Sequence, residues 1–273
     1  MQITTSVYAE TGYYGANVGF IKTDRGLIMV DTPPRPSDAV AWRDIVEKNG
    51  AVSYLINTEP HFDHCYGNFF FQVTAIAQEI TRRAIADLRK EDVLERISQI
   101  DPEGLSLVED YHVHVPSITF DKRLTLYMGN LTAQLIHLPG HTAGETAVLI
   151  PEERVVFSSD NIFYKLQTFL HEADPFDWLE SLKVLAQMDV DYIIPGHGEV
   201  CTRDYISEQT RFIEEWIDTV NKGIERGWSK EVCMENISLL DRYPMLPGEP
   251  DWMGPEIQRW NISRIYDCIT SGK

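Results

Sequence analysis

The sequence has few cysteines and no long apolar run. Its four cysteines among 273 residues are scattered singly, without the density of a secreted disulfide scaffold or the close pairs of a zinc finger. No run approaches the roughly 20 apolar residues that span a bilayer, and no basic segment with an apolar stretch after it stands at the start. We therefore expect a soluble cytoplasmic protein without a membrane partner.

Basic residues are also scarce. The chain has 24 lysines and arginines against 42 aspartates and glutamates, which gives a formal net charge of −18 at pH 7. Such a surface repels the phosphates of nucleic acids and of anionic membranes at long range. We therefore expect no nucleic-acid partner and disfavour a nuclease. A small-molecule substrate is the expected partner.

Apolar runs and turn signals predict two blocks of strands, each with a helix after it. In the first block, residues 18–20 and 27–30 form a hairpin and residues 54–56 a buried strand. The second block runs over residues 118–157, after which Asp174 caps a helix that leads to another strand. This repetition predicts two similar α/β halves that pack sheet against sheet.

Candidate metal ligands gather in short segments that follow apolar runs. The octapeptide at positions 57–64, NTEPHFDH, is the densest of these segments. Ligands on loops at the ends of neighbouring strands can converge on one point. Seven donors are too many for one tetrahedral ion and suit two ions. The donors are Glu59, His61, Asp63, His64, His141 in LPGHTAGE, Asp160 at the end of the predicted strand 155–157, and His197 in IPGHGE.

With these motifs, the chain resembles the metallo-β-lactamase-fold superfamily of metallohydrolases over about residues 15–200. The family pattern is a strand that ends in aspartate, here Asp31 in GLIMVDTP, then an H-x-H-x-D-H loop, then single His, Asp and His positions after strands. The resemblance implies an α/β fold, the four-layer αββα sandwich. It also implies a metal-binding domain over residues 1–200, with residues 201–273 as a C-terminal helical extension packed on it.

The resemblance implies a binuclear centre in which Asp31 organises the loops behind the ligands. The first cation would be held by Glu59, His61 and His141, and the second by Asp63, His64 and His197. Asp160 would bridge the two cations.

The loop departs from the family pattern at Glu59, which stands in place of the first histidine and makes the motif E-x-H-x-D-H. Two interpretations stay open. Glu59 either binds the first cation as a harder, charged donor, or points away and leaves one cation in the second site. Two divalent ions are expected. Zinc is the first choice, and manganese and iron are alternatives because of Glu59.

The implied activity is hydrolysis by a metal-bound hydroxide that Asp63 orients, on a small ester, lactone, thioester, β-lactam or phosphoester. The alternatives are a mononuclear or di-iron oxidoreductase of the same fold, similar to a sulfur dioxygenase, and a non-catalytic metal-binding protein. Phe163, Tyr164, Phe169 and His171, just after Asp160, are candidate walls of the substrate pocket, with helix packing as the other interpretation.

Two further segments carry expectations. His112 and His114 alternate with valines in VHVHV, which predicts a strand with both histidines on one face. The proline- and tryptophan-containing segment around residues 243–260 is interpreted as a lid or as the surface of a homodimer, and a short helix is expected to end the chain.

Overall fold

Two mixed sheets form the centre of the molecule. A computed structural model describes residues 1–271, and the last two residues of the predicted extension, 272–273, lie outside it. The first sheet follows the chain order β1 to β6, with antiparallel pairing from β1 to β3 and parallel pairing from β3 to β6. Its strands are β1 (Val7–Glu10), β2 (Val18–Thr23), β3 (Gly26–Val30), β4 (Val52–Asn57), β5 (Ala75–Gln78) and β6 (Ile118–Phe120).

The second sheet has the order β11-β10-β9-β8-β7. Its pairing is antiparallel except between β10 and β11, which run parallel. Its strands are β7 (Arg123–Tyr127), β8 (Thr132–His137), β9 (Thr146–Ile150), β10 (Val155–Phe163) and β11 (Tyr192–His197).

Helices cover the outer faces of both sheets. They are α1 (Pro36–Asn49), α2 (Phe62–Cys65), α3 (Glu79–Ala86), α4 (Lys90–Ile100), α5 (Pro175–Ala186), α6 (Ile206–Glu225), α7 (Lys230–Asn236) and α8 (Met253–Ser271). Helix α1 links the parallel strands β3 and β4, and α5 links β10 and β11 in the same way. The two halves therefore repeat one motif, an antiparallel hairpin and then a parallel crossover.

Burial separates the molecule into four layers. Ile28, Val30 and Ile56 of the first sheet pack against Val148 and Phe157 of the second. Outside the first sheet, α1 contributes Trp42 and Val46 to a separate cluster, while α5 and α6 contribute the fully buried Trp178 and Trp216 to the cluster outside the second. Because each sheet buries both faces, the predicted αββα sandwich is confirmed.

Helix α5 begins where the sequence predicts. The side chain of Asp174 accepts hydrogen bonds from the backbone N–H groups of Phe176 and Asp177, and Pro175 occupies the first turn. These contacts satisfy two of the N–H groups that a helix start leaves free. The capped helix places β11, and with it His197, beside β10.

The C-terminal helices cover the outer face of the second sheet, where α6 contacts β10 and α8 packs on α6 and α7. Ile262 and Ile265 of α8 join the same cluster as Trp178 of α5. The expectation of a short final helix is wrong, because α8 extends over 19 residues. Within residues 1–271, every helix is too short or too polar to cross a bilayer. The domain boundary at residue 200 stays a prediction.

Two local predictions differ from the structure. Residues 112–116 form no strand, although their apolar and polar residues alternate, so His112 and His114 share no strand face. Strand β10 does not end near Phe157 but continues to Phe163, with two shifts in its register against β11. Asp160 consequently lies inside an irregular strand rather than after it.

Candidate metal centre

The predicted ligands lie where the strands of the two sheets end. Asp31 directly follows β3, the loop 58–64 follows β4, and His197 is the last residue of β11. The carboxyl ends of neighbouring parallel strands meet at the same edge of a sheet, which is where ligands collect in open α/β folds. His141, from the loop between β8 and β9, and Asp160 of β10 complete the arrangement.

The structure brings all seven predicted ligands together. Donor atoms within 4.8 Å of one another form the groups Glu59–His61–His141, Asp63–His64–His197 and Glu59–His64–Asp160. The first two groups are the two cation sites that the sequence predicts. All members except His61 are buried. Their proximity makes two cation sites feasible, and their role as ligands stays a prediction.

Glu59 points into the centre and contacts both groups. Its Oε1 lies 3.0 Å from Nδ1 of His61 and 3.0 Å from Nε2 of His64. The side chain is fully buried. Of the two interpretations of Glu59, this geometry favours the inward one. It also widens the prediction, because Glu59 reaches the second group as well as the first.

Asp160 lies between the two groups. Its Oδ1 is 3.3 Å from Nε2 of His64, and its Oδ2 is 3.2 Å from Nε2 of His197 and 3.5 Å from Nε2 of His141. Oδ2 thus lies near a histidine of each group, and Oδ1 lies near His64 of the second group. A carboxylate that contacts both groups has the placement that a bridging ligand needs. Gly196 permits this approach, since a Cβ at that position would collide with Oδ1 of Asp160.

Within residues 1–271, three buried donor atoms in the centre make no well-aligned hydrogen bond, although two of them, on His64 and Asp160, lie 3.3 Å apart. They are Oε2 of Glu59, Nε2 of His64 and Oδ1 of Asp160. Buried polar groups are nearly always paired, and an unpaired one is costly. Divalent cations would satisfy these atoms and balance the charges of three clustered carboxylates. The residues present therefore fit the two ions that the resemblance implies.

Asp31 holds His64 and the start of the ligand loop. Its Oδ2 accepts from Nδ1 of His64 at 2.9 Å, and its Oδ1 accepts from the backbone N–H of Thr58 at 2.8 Å. With its Nδ1 bound in this way, His64 directs Nε2 toward the centre. Asp31 adopts φ +57°, a conformation that a non-glycine residue rarely takes. These contacts are the ones expected of a residue that organises the loops.

The sequence analysis missed two acidic residues beside the centre. Oε2 of Glu172 lies 3.2 Å from Nε2 of His61, and this hydrogen bond lowers the pKa of the Glu172 carboxyl to about 2. Glu145 is fully buried and accepts from the backbone and hydroxyl of Thr142. Burial, helped by the charges of Glu59 and Asp160, raises the pKa of Glu145 well above its usual value. Glu145 lies in the quoted motif LPGHTAGE, whereas no local pattern distinguishes Glu172.

A cavity of about 730 Å³ opens onto the centre. Five predicted ligands face it, while Glu59 and His64 lie behind them. All four predicted pocket residues, Phe163, Tyr164, Phe169 and His171, line it. Leu246, Pro247, Met253 and Trp260 add an apolar wall from the C-terminal segment. Burial, with the charges of His141 and His61, lowers the pKa of His171 to about 4.

Gly15 allows one wall of the cavity to approach Asp63. A Cβ on Gly15, whose φ is +89°, would lie 2.6 Å from Cβ of Asp63. We expect Gly15→Ala to displace Asp63 and lower kcat/KM by about 100-fold, the cost of a misplacement near 1 Å. The matched control is Gly227→Ala, where φ is +77° and no atom of the described chain lies within 4 Å of the added Cβ. Both variants should lose about 1 kcal/mol of stability to backbone strain, so equal activities would contradict this role of Gly15.

The region that holds the centre also matches a family model. The model described as the metallo-beta-lactamase superfamily matches residues 11–197, which include every predicted ligand. The chain belongs to the metallo-beta-lactamase superfamily. This membership confirms the resemblance deduced from the five segments.

Curated members of the superfamily match part of their length. A beta-lactamase-like protein 2 homolog of Caenorhabditis elegans is 27% identical over 207 residues, 75% of this chain and 61% of that protein. A linear primary-alkylsulfatase of Pseudomonas sp. is 24% identical over 266 residues, 80% of this chain and 49% of that protein. A hydroxyacylglutathione hydrolase of Maricaulis maris is 25% identical over 197 residues, 72% and 65% of the two proteins. The chain thus covers less than two thirds of each of these three relatives.

Solved structures of the superfamily share the fold. A metallo-beta-lactamase from Pontibacter korlensis superposes with a TM-score of 0.63 at 17% identity, over 78% of this chain and 97% of that one. The inverting sec-alkylsulfatase Pisa1 from Pseudomonas sp. superposes with a TM-score of 0.71 at 14% identity, over 98% of this chain and 49% of that one. At these identities the likeness supports the fold alone.

Proposed function

We propose that this superfamily member is a metal-dependent hydrolase with a binuclear centre. The observation that carries the proposal is the convergence of three carboxylates and four histidines, with unpaired buried donor atoms, at the base of a large cavity. The first cation would be held by Glu59, His61 and His141, the second by Asp63, His64 and His197, with Asp160 between them.

Asp63 is the residue placed to act on the attacking water. It borders the cavity, and its Oδ2 lies 3.4 Å from Nε2 of His197. When bound, the divalent cations supply Lewis acidity and make water a nucleophile near neutral pH. The Asp63 carboxylate accepts a hydrogen bond from the water and directs it at the substrate's carbonyl carbon. As the new carbon–oxygen bond forms, Asp63 takes the proton of the water. It then passes this proton to the leaving oxygen, sulfur or nitrogen as the bond between that atom and the carbonyl carbon breaks.

The donor set influences which ions bind. Four histidines suit zinc, whereas Glu59, Asp63 and Asp160 are hard oxygen donors that also suit manganese or iron. Zinc is our first choice because imidazoles supply most of the donors. Glu59 points into the centre and is a hard oxygen donor, which supports manganese or iron as the alternatives.

The cavity supports a substrate with an apolar part. Aromatic and aliphatic side chains surround the ligands, among them Phe163, Phe169 and Trp260. Such walls bury the apolar portion of a ligand, while a few polar groups fix the reacting bond. We infer an ester, lactone, thioester, β-lactam or phosphoester of this kind. The names of two relatives, a linear primary-alkylsulfatase and a hydroxyacylglutathione hydrolase, add an alkyl sulfate and a hydroxyacylglutathione to these candidates.

The proposal is tested by measuring turnover with protein loaded with zinc or manganese. The substrate panel contains an ester, a lactone, a thioester, a β-lactam, a phosphoester, an alkyl sulfate and a hydroxyacylglutathione. We expect hydrolysis of at least one member, loss of activity on removal of the ions with a chelator, and recovery when either ion is restored. Turnover that survives complete removal of the ions would contradict the proposal.

The remaining proposals concern the binding partner, the cellular location and the oligomeric state. We infer from the net charge of −18 that the partner is a small molecule rather than nucleic acid or a membrane. A cytoplasmic location and a homodimer stay proposals. Analytical ultracentrifugation of the purified chain tests whether it forms a homodimer.

A further inference from the structure

A peptide unit near the cavity connects the first cation site to the C-terminal helix. Nδ1 of His141 donates a hydrogen bond to the carbonyl oxygen of Phe169 at 2.7 Å. This contact leaves Nε2 of His141 free to face the centre, 3.1 Å from Nδ1 of His61. Whatever holds the Phe169 carbonyl in place therefore also sets the orientation and the tautomer of His141.

Asn261 of α8 holds the backbone on both sides of Phe169. Its Oδ1 accepts from the backbone N–H of Leu170 at 2.7 Å, and its Nδ2 donates to the carbonyl of Thr168 at 2.8 Å. Asn261 and Thr168 are both fully buried. Water therefore has no access to replace either hydrogen bond.

Planarity of the peptide bond connects Asn261 to His141. The carbonyl of Phe169 and the N–H of Leu170 belong to one trans peptide unit, so they point in opposite directions from one rigid plane. Asn261 binds one side of this plane and His141 binds the other. A hydrogen bond to the N–H also polarises the carbonyl and strengthens its bond to His141.

We propose that Asn261 is a positioning residue for the first cation site and acts on His141 through the peptide unit between Phe169 and Leu170. The proposal rests on the proposed function, in which His141 binds the first cation. It gives the C-terminal helix a role in metal binding, although that helix supplies none of the predicted ligands.

Helix α8 offers a matched control. Oε1 of Gln258 accepts from the backbone N–H of Leu239 at 2.7 Å, and its Nε2 donates to Oε1 of Gln167 at 3.2 Å. Gln258 is buried on the same helix and makes two side-chain hydrogen bonds, as Asn261 does. It does not touch the peptide unit that His141 binds. Gln258→Leu therefore removes comparable structural contacts without releasing the Phe169 carbonyl.

The test is a titration of the full chain with cobalt(II) against a chromophoric chelator, which yields the affinity of each site and the absorption spectrum of the bound ion. For Asn261→Leu we expect the affinity of one of the two sites for cobalt(II) to fall by about 10- to 100-fold, the usual effect of losing a residue that orients a ligand. The other affinity should stay within about threefold, and the cobalt spectrum should change. Gln258→Leu should keep both affinities, while its melting temperature should fall about as far as that of Asn261→Leu.

Two further variants keep the test decisive. Asn261→Asp retains an acceptor for the N–H of Leu170 and should restore most of the lost affinity. If Asn261→Leu does not fold, Asn261→Ser, whose side chain is too short for both partners, carries the same prediction. Equal affinities in Asn261→Leu, or in Asn261→Ser where the former does not fold, and in Gln258→Leu would overturn the role of Asn261.

His141→Ala separates this inference from the proposed function. Loss of one ion from His141→Ala, together with unchanged affinities in Asn261→Leu, would overturn the positioning role alone. If His141→Ala kept both ions at unchanged affinity, His141 would not be a ligand, and the proposed centre would fail with the inference.

Discussion

Asp63→Asn is expected to lower kcat by about 1,000-fold on whichever ester-type substrate the protein hydrolyses. An amide of the same shape carries no charge and cannot take a proton from water, and losing a positioned proton acceptor costs about 10²- to 10⁴-fold. Asp63 is also placed to bind the second cation through the oxygen that approaches His197. We therefore expect the variant to hold its second ion less tightly as well.

Steady-state kinetics at saturating metal separates these two effects. Added zinc or manganese should refill the second site of Asp63→Asn without restoring kcat. The exposed Asp110, away from the centre, provides the control, because Asp110→Asn should leave both kcat and metal content unchanged. Recovery of kcat to the original value at high metal concentration would show that Asp63 only binds the ion and has no role in orienting water.

Glu59→Ala is expected to lose one of two bound ions. Its carboxylate is fully buried and contacts His61 and His64, and one of its oxygens has no hydrogen-bond partner among residues 1–271. We expect the affinity of the first site to fall more than the roughly 100-fold that an indirect contact costs. Equilibrium dialysis followed by metal analysis measures this loss.

Glu59→His tests why a glutamate stands in the loop. It restores the H-x-H-x-D-H pattern and replaces a hard, charged donor with an imidazole, so the preference for zinc over manganese should rise while two ions remain bound. Glu145→Gln is the matched control, since Glu145 is equally buried but belongs to none of the ligand groups found within residues 1–271. Two tightly bound ions in Glu59→Ala would rule out Glu59 as a ligand.

The positions of the predicted ligands follow from local patterns. Apolar runs that end at Asp31, at the loop 58–64 and near His197 identify strand ends, and parallel pairing brings those ends together. Phe163 and Phe169 follow Asp160 closely in the chain, so their place in the cavity wall was also accessible to sequence reasoning. Each of these features depends on residues that are close in sequence.

Contacts between distant segments were not predictable in this way. Glu172 meets His61 across 111 positions, and Asn261 meets Leu170 across 91. No periodicity connects such pairs, because the packing of α8 on α6 and α7 is what brings Asn261 into reach. The alternation in VHVHV predicts a strand, but a strand needs a partner, and none of the strands within residues 1–271 pairs with residues 112–116.

Seven residues are proposed to hold two divalent cations in this protein. Mass spectrometry of the metals bound per chain, on untagged protein purified without chelators or added metal, tests this proposal most directly. We expect about two ions of zinc or manganese per chain, and about one in Glu59→Ala. A single iron per chain, unchanged in Glu59→Ala, would contradict the binuclear centre and would favour an oxidoreductase of the same fold.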